Sequence, residues 1–243
     1  MLSTPCGQVM AALGLLETVM NLGSLLDQID PYLKKGVNRC CFRGQAQQWP
    51  LLPKAYRHQY AGSANEFVWL ADSRLKQWEA ESLAYLREID AVPKSPWDLL
   101  AVAQHFGLAT RATDWTSNPL VALFFAVSSH EESDGELIVW SFEPSSYNNI
   151  SLPPAEVKSV VLFRPPPTFA RLRFQQGLLS YHPEPESKLP DDQLVRISIP
   201  AAYKIPLRNQ LHRCGVDHET IFVSPDHLAE KINWISTNFM RKA

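Results

Sequence analysis

Helical spacing fills the first half of this chain and strand alternation the second, with no βαβα rhythm between them. That order favours an α+β fold with a helix-rich first half over a doubly wound sheet. Apolar residues recur at helical intervals over residues 7–33, a pattern expected to end at Pro31, then over 65–89 and 96–106. In the last of these, Ser95 before Pro96 marks a helix start. Residues 38–43 read as a short strand, with Cys40 and Phe42 alternating against Arg39 and Arg43. Residues 108–113 read as a connector, and 119–128, with VALFFAV at its centre, as the most apolar helix. Behind the turn signal Asp134-Gly135, residues 136–142 are expected as a strand. Further strands are expected at 159–163, 194–199 and 219–223, and helices at 203–214 and 226–239. Residues 168–179 carry a mixed pattern.

Composition narrows the class. Of 243 residues, 45% are hydrophobic and 20% charged, which excludes wholesale disorder. The 19 prolines against 10 glycines imply rigid loops between modest helices. No apolar run approaches the roughly 20 residues that span a bilayer, so no membrane partner is expected. Without a basic segment at the start, a cytoplasmic location is expected. A formal net charge of −2 argues against a broad phosphate-binding face. Cys6, Cys40, Cys41 and Cys214 have no CxxC spacing and are expected to be buried free thiols. No metal site is expected, because the histidines lack ligand spacing. P-loop, dinucleotide, zincin and serine-elbow motifs are absent.

Several groupings could carry chemistry. Arg43 offers an anion a planar fork of donors, and Gly44 beside it admits close backbone approach. His105 lies between an apolar helix end and Gly107. Asp114, Thr116, Ser117 and Asn118 precede the apolar helix, where they serve either as caps or as the rim of an anion site. Gln175-Gln176-Gly177 suits a polar ligand edge or loop bridging. Asp217 and Glu219, one residue apart at an expected strand, would share one face.

In this order the pieces resemble the FRG domain family. The resemblance rests on Phe42-Arg43-Gly44, WPLLPKAYR (49–57), AQHFGLATRATDWTSNPLVALFFA (103–126), FQQGLL (174–179) and GVDHETIFVSPDHL (215–228). It runs from about Val37 to Ile232. A second resemblance is to ADP-ribosyltransferases of the Arg–Ser–Glu type. It implies an ADP-ribosyltransferase-like mixed or antiparallel sheet core and NAD as substrate. By that resemblance Arg43 is the NAD phosphate anchor, and Thr116 and Ser117 shape the nicotinamide pocket. Glu219 holds the nicotinamide ribose and Asp217 faces the acceptor. His105, Asp114 and Gln176 belong to the FRG pattern. His105 is therefore added to the candidate catalytic residues, and Asp114, Gln176 and Gly44 to the NAD-binding ones. A carboxylate beside the ribose would stabilise the oxocarbenium-like state formed as the nicotinamide bond breaks.

The expectation is an NAD-dependent transferase or glycohydrolase of the toxin or defence-effector kind, its acceptor a protein, nucleic acid, small molecule or water. Two alternatives stay open. One is a non-catalytic module holding a nucleotide, nucleic-acid end or peptide. The other is an interaction protein whose N-terminal helix meets a second copy or a regulator. Residues 1–36 are read as a helical appendage and 37–243 as one domain.

Overall fold

The computed structural model describes residues 19–36, 39–60, 66–143, 147, 150–166 and 168–240. Among these, the first half holds α1 (Leu22–Leu33), β1 (Cys40–Gln45), α2 (Phe67–Glu88), α3 (Pro96–His105), β2 (Ala112–Thr116) and α4 (Pro119–Val127). The second half holds β3 (Gly135–Ser141), β4 (Val161–Phe163), α5 (Ala170–Phe174), β5 (Gly177–Tyr181), β6 (Leu194–Ile199), α6 (Ala201–Arg213), α7 (His218–Phe222) and α8 (Pro225–Met240). The strands make one sheet in the order β4-β5-β2-β1-β3-β6, with every neighbouring pair antiparallel. The fold is α+β.

The sheet is nearly two sheets. β1 runs along β3 from Cys40↔Ser141 to Gln45↔Glu136, and β2 runs along β5 from Ala112↔Tyr181 to Thr116↔Gly177. β1 and β2 themselves pair at Phe42↔Thr116. Beyond that point they diverge. Two helices cover one face, one on each side of the split. Trp97 and Leu100 of α3 pack on Ala112, Leu179 and Tyr181, whereas Val121, Leu123 and Phe124 of α4 pack with Phe42, Leu137 and Ile197. The opposite face buries Cys41, Trp115, Ile138, Trp140 and Leu178.

Local chemistry starts these helices where the sequence predicts. Ser95 Oγ accepts the Asp98 N–H with Pro96 in the first turn, and Asn118 Oδ1 accepts the Leu120 N–H at 2.9 Å. α4 then sits on glycine. A Cβ built on Gly44 would lie 1.7 Å from the Ala122 carbonyl oxygen, and one on Gly135 would lie 2.6 Å from that of Ala126. At its far end, the fully buried Lys204 donates to the carbonyls of Ala46, Ser129 and His130 at 2.6, 3.2 and 2.8 Å. A cation at a helix C-terminus also meets the negative end of the helix dipole.

Several expectations change. Residues 219–223 do not form a strand. Asp217 caps α7 by accepting the Thr220 N–H, with Thr220 reciprocating, and Val223 closes the turn at φ 52°. Asp217 and Glu219 are therefore the cap and first turn of a helix, not alternating strand positions. The connector at 108–113 runs into β2, and the mixed stretch at 168–179 resolves into α5 and the start of β5. The N-terminal helical pattern is interrupted at Asn21, which caps α1, and α1 passes through Pro31 to Leu33; residues 1–18, including Cys6, lie outside the described ones. The described part of that segment enters the main core, where Val19, Leu25 and Ile29 are fully buried. Cys40 and Cys41 are buried free thiols, but Cys214 is exposed, at the end of α6. Among the described residues, no helix is long and apolar enough to cross a membrane.

Candidate functional site

Where β1 and β2 part, the side chain of Arg43 fills the gap. Its Nη1 donates to the backbone carbonyl of Asp114 at 2.7 Å, a bond from side chain to strand where the ladder between the strands has ended. Its Nε donates to Gln45 Oε1 at 3.1 Å. Gln45 Nε2 in turn donates to the buried Glu136 at 2.8 Å, which also accepts from Arg196. The guanidinium is thus held from behind, and burial pushes its pKa down. Among the described residues, Nη2 carries no such bond.

Arg43, Gln104 and Asp114 divide a cleft into two chambers. Gln104 Nε2 donates to Asp114 Oδ1 at 2.7 Å, while Gln104 Oε1 accepts from Thr110. The first chamber, about 230 Å³, is bounded by His105 on α3, Phe125 on α4, Arg171 on α5, Trp115 and Gln175. The second, about 340 Å³, has a basic wall of Lys54 and Arg57 with Thr113 and Leu52. One residue lining each chamber carries a buried polar atom with no hydrogen-bond partner among the described residues, Gln175 (Nε2) in the first and Thr113 (Oγ1) in the second. Buried polar atoms are rarely left unsatisfied, and both these residues line a chamber. Asp114 supplies the carboxylate facing both chambers, against the cations of Arg43, Arg171, Lys54 and Arg57.

His105 belongs to this cleft. Its ring stacks on Phe169 at 4.1 Å between centroids with 3° between planes. Burial, reinforced by the nearby Arg171, pushes its pKa down to about 4, so the imidazole is neutral near pH 7. The unfolded chain, with an ordinary histidine near 6.5, binds more protons between pH 6.5 and 4. Stability contributed by neutral His105 is whole above 6.5 and is lost as pH falls toward 4. His105→Gln should therefore lose less Tm than the wild type between pH 7 and 4.5; equal losses in the two proteins would remove His105 from the acid response.

The other sequence candidates are placed as follows. Thr116 lines the first chamber, but its hydroxyl is committed, donating to the Gln175 carbonyl at 2.6 Å and accepting from the Asn118 N–H at 3.0 Å. Ser117 Oγ donates to Gln176 Oε1 at 3.1 Å. These bonds tie the end of β2 to the turn before β5, where Gln176 has φ 47°. Gly44 lines the first chamber, and its missing side chain also makes room for the α4 backbone. Asp217 and Glu219 line neither chamber. Asp217 faces His212 at 3.0 Å and Lys231 at 3.1 Å. Burial would raise its pKa, but the Thr220 N–H, Lys231 and His212 outweigh burial and hold it below the usual carboxylate value. Glu219 pairs with Lys231 at 2.7 Å. Their helix reaches the cleft wall through Phe222, over which the Arg171 guanidinium lies at 4.7 Å.

Arg171, Lys54 and Arg57 were not singled out from the sequence. For Arg171 the local hint is the basic run Arg171-Leu172-Arg173 just before Gln175-Gln176. Lys54 and Arg57 lie in the WPLLPKAYR stretch (49–57) of the FRG resemblance, on a short 3-10 turn, Lys54–Tyr56, with Arg57 at its end.

Residues 38–135 match the family model of the FRG domain. The matched segment holds Arg43, His105, Asp114, Thr116 and Ser117 and stops short of Arg171, Gln176, Asp217 and Glu219. Comparisons with curated proteins and with solved structures returned no match. Over residues 38–135, which supply β1, α3, β2 and α4 to this divided cleft, the chain is similar to the FRG domain.

Proposed function

We propose that the divided cleft binds NAD and that the protein cleaves its nicotinamide–ribose bond, passing ADP-ribose to an acceptor or to water. The observation that carries this reading is the meeting of Arg43 and Asp114 between a basic chamber and an aromatic one. Arg43, Lys54 and Arg57 suit the pyrophosphate, since arginine forks match phosphate oxygens. Phe125, Trp115 and neutral His105 suit a planar base or the nicotinamide. The unpartnered Gln175 Nε2 and Thr113 Oγ1 offer polar groups to the amide and ribose hydroxyls.

In this chemistry the bond between ribose C1′ and the nicotinamide nitrogen breaks, and the electron pair leaves with nicotinamide. A nucleophile then adds to C1′ and gives up its proton. Asp114, rather than Glu219, is the carboxylate placed to stabilise the positive charge on the ribose, because Glu219 is paired with Lys231 away from both chambers.

One observation favours a second reading, a binding module without turnover. The resemblance to ADP-ribosyltransferases implies an acid-x-Glu pair on a late strand. The strand lying beside β2 is β5, and the residues leading into it are the amides Gln175 and Gln176.

The two readings separate in one experiment. Purified protein is incubated with NAD, nicotinamide release is followed by chromatography, and the NAD-induced rise in Tm is recorded. Turnover predicts release that Asp114→Asn lowers about 100- to 1000-fold and Glu219→Gln leaves intact. The module predicts a Tm rise, abolished by Arg43→Ala, without release from any protein. Absence of both signals sinks NAD as the ligand.

A further inference from the structure

A cavity of about 570 Å³ lies on the far side of α3 from the cleft. It shares no lining residue with either chamber of the cleft. α2 and α3 wall it with Leu75, Leu99 and Leu100, and the turn at Pro153 and Pro154 closes another side. At its floor are Arg111, Asp72 and Tyr181.

The two charges at the floor are matched to each other, while the exposed Lys76, Glu79 and Lys94 stand at the rim. Arg111, 7% exposed, gives Nη2 to Asp72 Oδ1 at 2.6 Å and Nη1 to the Pro183 carbonyl at 2.9 Å. Its guanidinium carbon also lies 5.0 Å from the centre of the Tyr181 ring. What is unmet is the Tyr181 hydroxyl. Tyr181 is 1% exposed, and its oxygen is buried with no hydrogen-bond partner among the described residues. Its ring is held edge-on by Trp97 at 5.4 Å, so it cannot swing out to water without breaking the α3 core. Burial raises its pKa, which keeps the proton on the oxygen as a donor.

We propose that this cavity is a second binding site, for a small uncharged and largely apolar molecule carrying one oxygen acceptor, which takes the Tyr181 hydroxyl hydrogen. A charged ligand has no unpaired charge to meet at the floor, because Arg111 and Asp72 neutralise each other. Water would satisfy the hydroxyl, but beside it the inner walls are mainly leucine, alanine and proline, with Thr110 and Ser95 the neutral polar residues among them, and a stable buried water makes about three hydrogen bonds. An apolar body with a carbonyl meets both the walls and the hydroxyl.

The test uses acetophenone and its isostere α-methylstyrene, in which CH₂ replaces the carbonyl oxygen. Binding is read from the Trp97 indole ¹⁵N–¹H resonance of the full chain, and Tyr181→Phe is the variant. Removing an unpartnered buried hydroxyl leaves the fold intact, so this variant should melt no lower than the wild type. Acetophenone is expected to shift the resonance saturably and to bind about tenfold more weakly to Tyr181→Phe, a difference of about 1.4 kcal/mol. α-Methylstyrene should bind both proteins alike, at the weaker level. No saturable shift with acetophenone up to its solubility limit, or equal binding of the two probes to the wild type, would overturn the proposal. Because the readout is independent of NAD, failure of the cleft reading leaves this result untouched.

Discussion

Gly44→Ala is expected to cost roughly 3 kcal/mol or more, which in a chain of this size lowers Tm by roughly 6–12 °C. The reason is steric and local. The added Cβ would stand 1.7 Å from the Ala122 carbonyl oxygen, 2.7 Å from its carbon and 2.8 Å from the Ala126 nitrogen. These are backbone atoms of a hydrogen-bonded helix, so no rotamer change can relieve the overlap. α4 would have to lift from β1, opening the core around Phe42, Val121 and Phe124. Gly177→Ala is the matched control, because its added Cβ would meet Leu172 atoms no closer than 3.7 Å. It should cost under about 1 kcal/mol. Thermal melts of the two variants decide between the roles for Gly44. If Gly44→Ala melted with the wild type and lost only ligand affinity, the glycine would serve the cleft rather than the helix.

The second large effect is expected at the other end of the same helix. Lys204→Met keeps the volume of the buried stem and deletes the ammonium that joins the carbonyls of Ala46, Ser129 and His130. Of the three bonds, the one to Ala46 is buried and those to Ser129 and His130 are part-buried; the His130 carbonyl keeps the Ser133 N–H, and a buried acceptor left without a partner costs about 1–3 kcal/mol. The loss should therefore be about 2 kcal/mol, carried mainly by the Ala46 carbonyl, seen in urea unfolding as a lower midpoint with an unchanged slope. A loss under about 1 kcal/mol would mean that water reaches these carbonyls once the lysine is gone. The ammonium connects three chain segments: the loop after β1, the end of α4 and α6. Its removal should loosen the α4 seat that Gly44 defines from below.

These two positions also mark how far the amino-acid order could be read. Phe42-Arg43-Gly44 stands out as a strand ending in an arginine and a glycine, and both residues matter. The tripeptide alone does not say that one faces the split in the sheet while the other admits a helix. That division follows from strand parity once the neighbours are known. Phe42 and Gly44 lie under α4, and Arg43 points the other way, into the gap where β2 has turned aside. Lys204 carries no local signal at all, being one lysine in a helix of weak amphipathic pattern.

The acids at 217 and 219 teach the complementary lesson. HETIF has the β-branched and aromatic content of a strand, and an Asp before it suits either a strand start or a helix cap. Thr220 answers the Asp217 carboxylate locally, but Lys231 on α8 and His212 on α6 also converge on it. The helix reading wins because partners from before and after the segment hold that carboxylate in the capping position.

What the sequence determined by itself is what neighbours within a turn or two can decide. The Ser95 and Asn118 caps, the extents of α3 and α4, the unbroken apolar run of β3 behind its Asp134-Gly135 turn, the alternation of β6 and the α+β order all rest on contacts within about four residues. β2 and β5 were decided by each other, across some sixty residues, because ATDWT buries both faces and shows no alternation to read. The cleft was decided in the same way. Lys54, His105, Asp114 and Arg171 come from a 3-10 turn, a helix, a strand and a second helix, and no spacing rule links them. They meet because the sheet splits between β1 and β2. That split is a property of how two halves of a twisted sheet pack under two helices, which no short stretch of residues encodes.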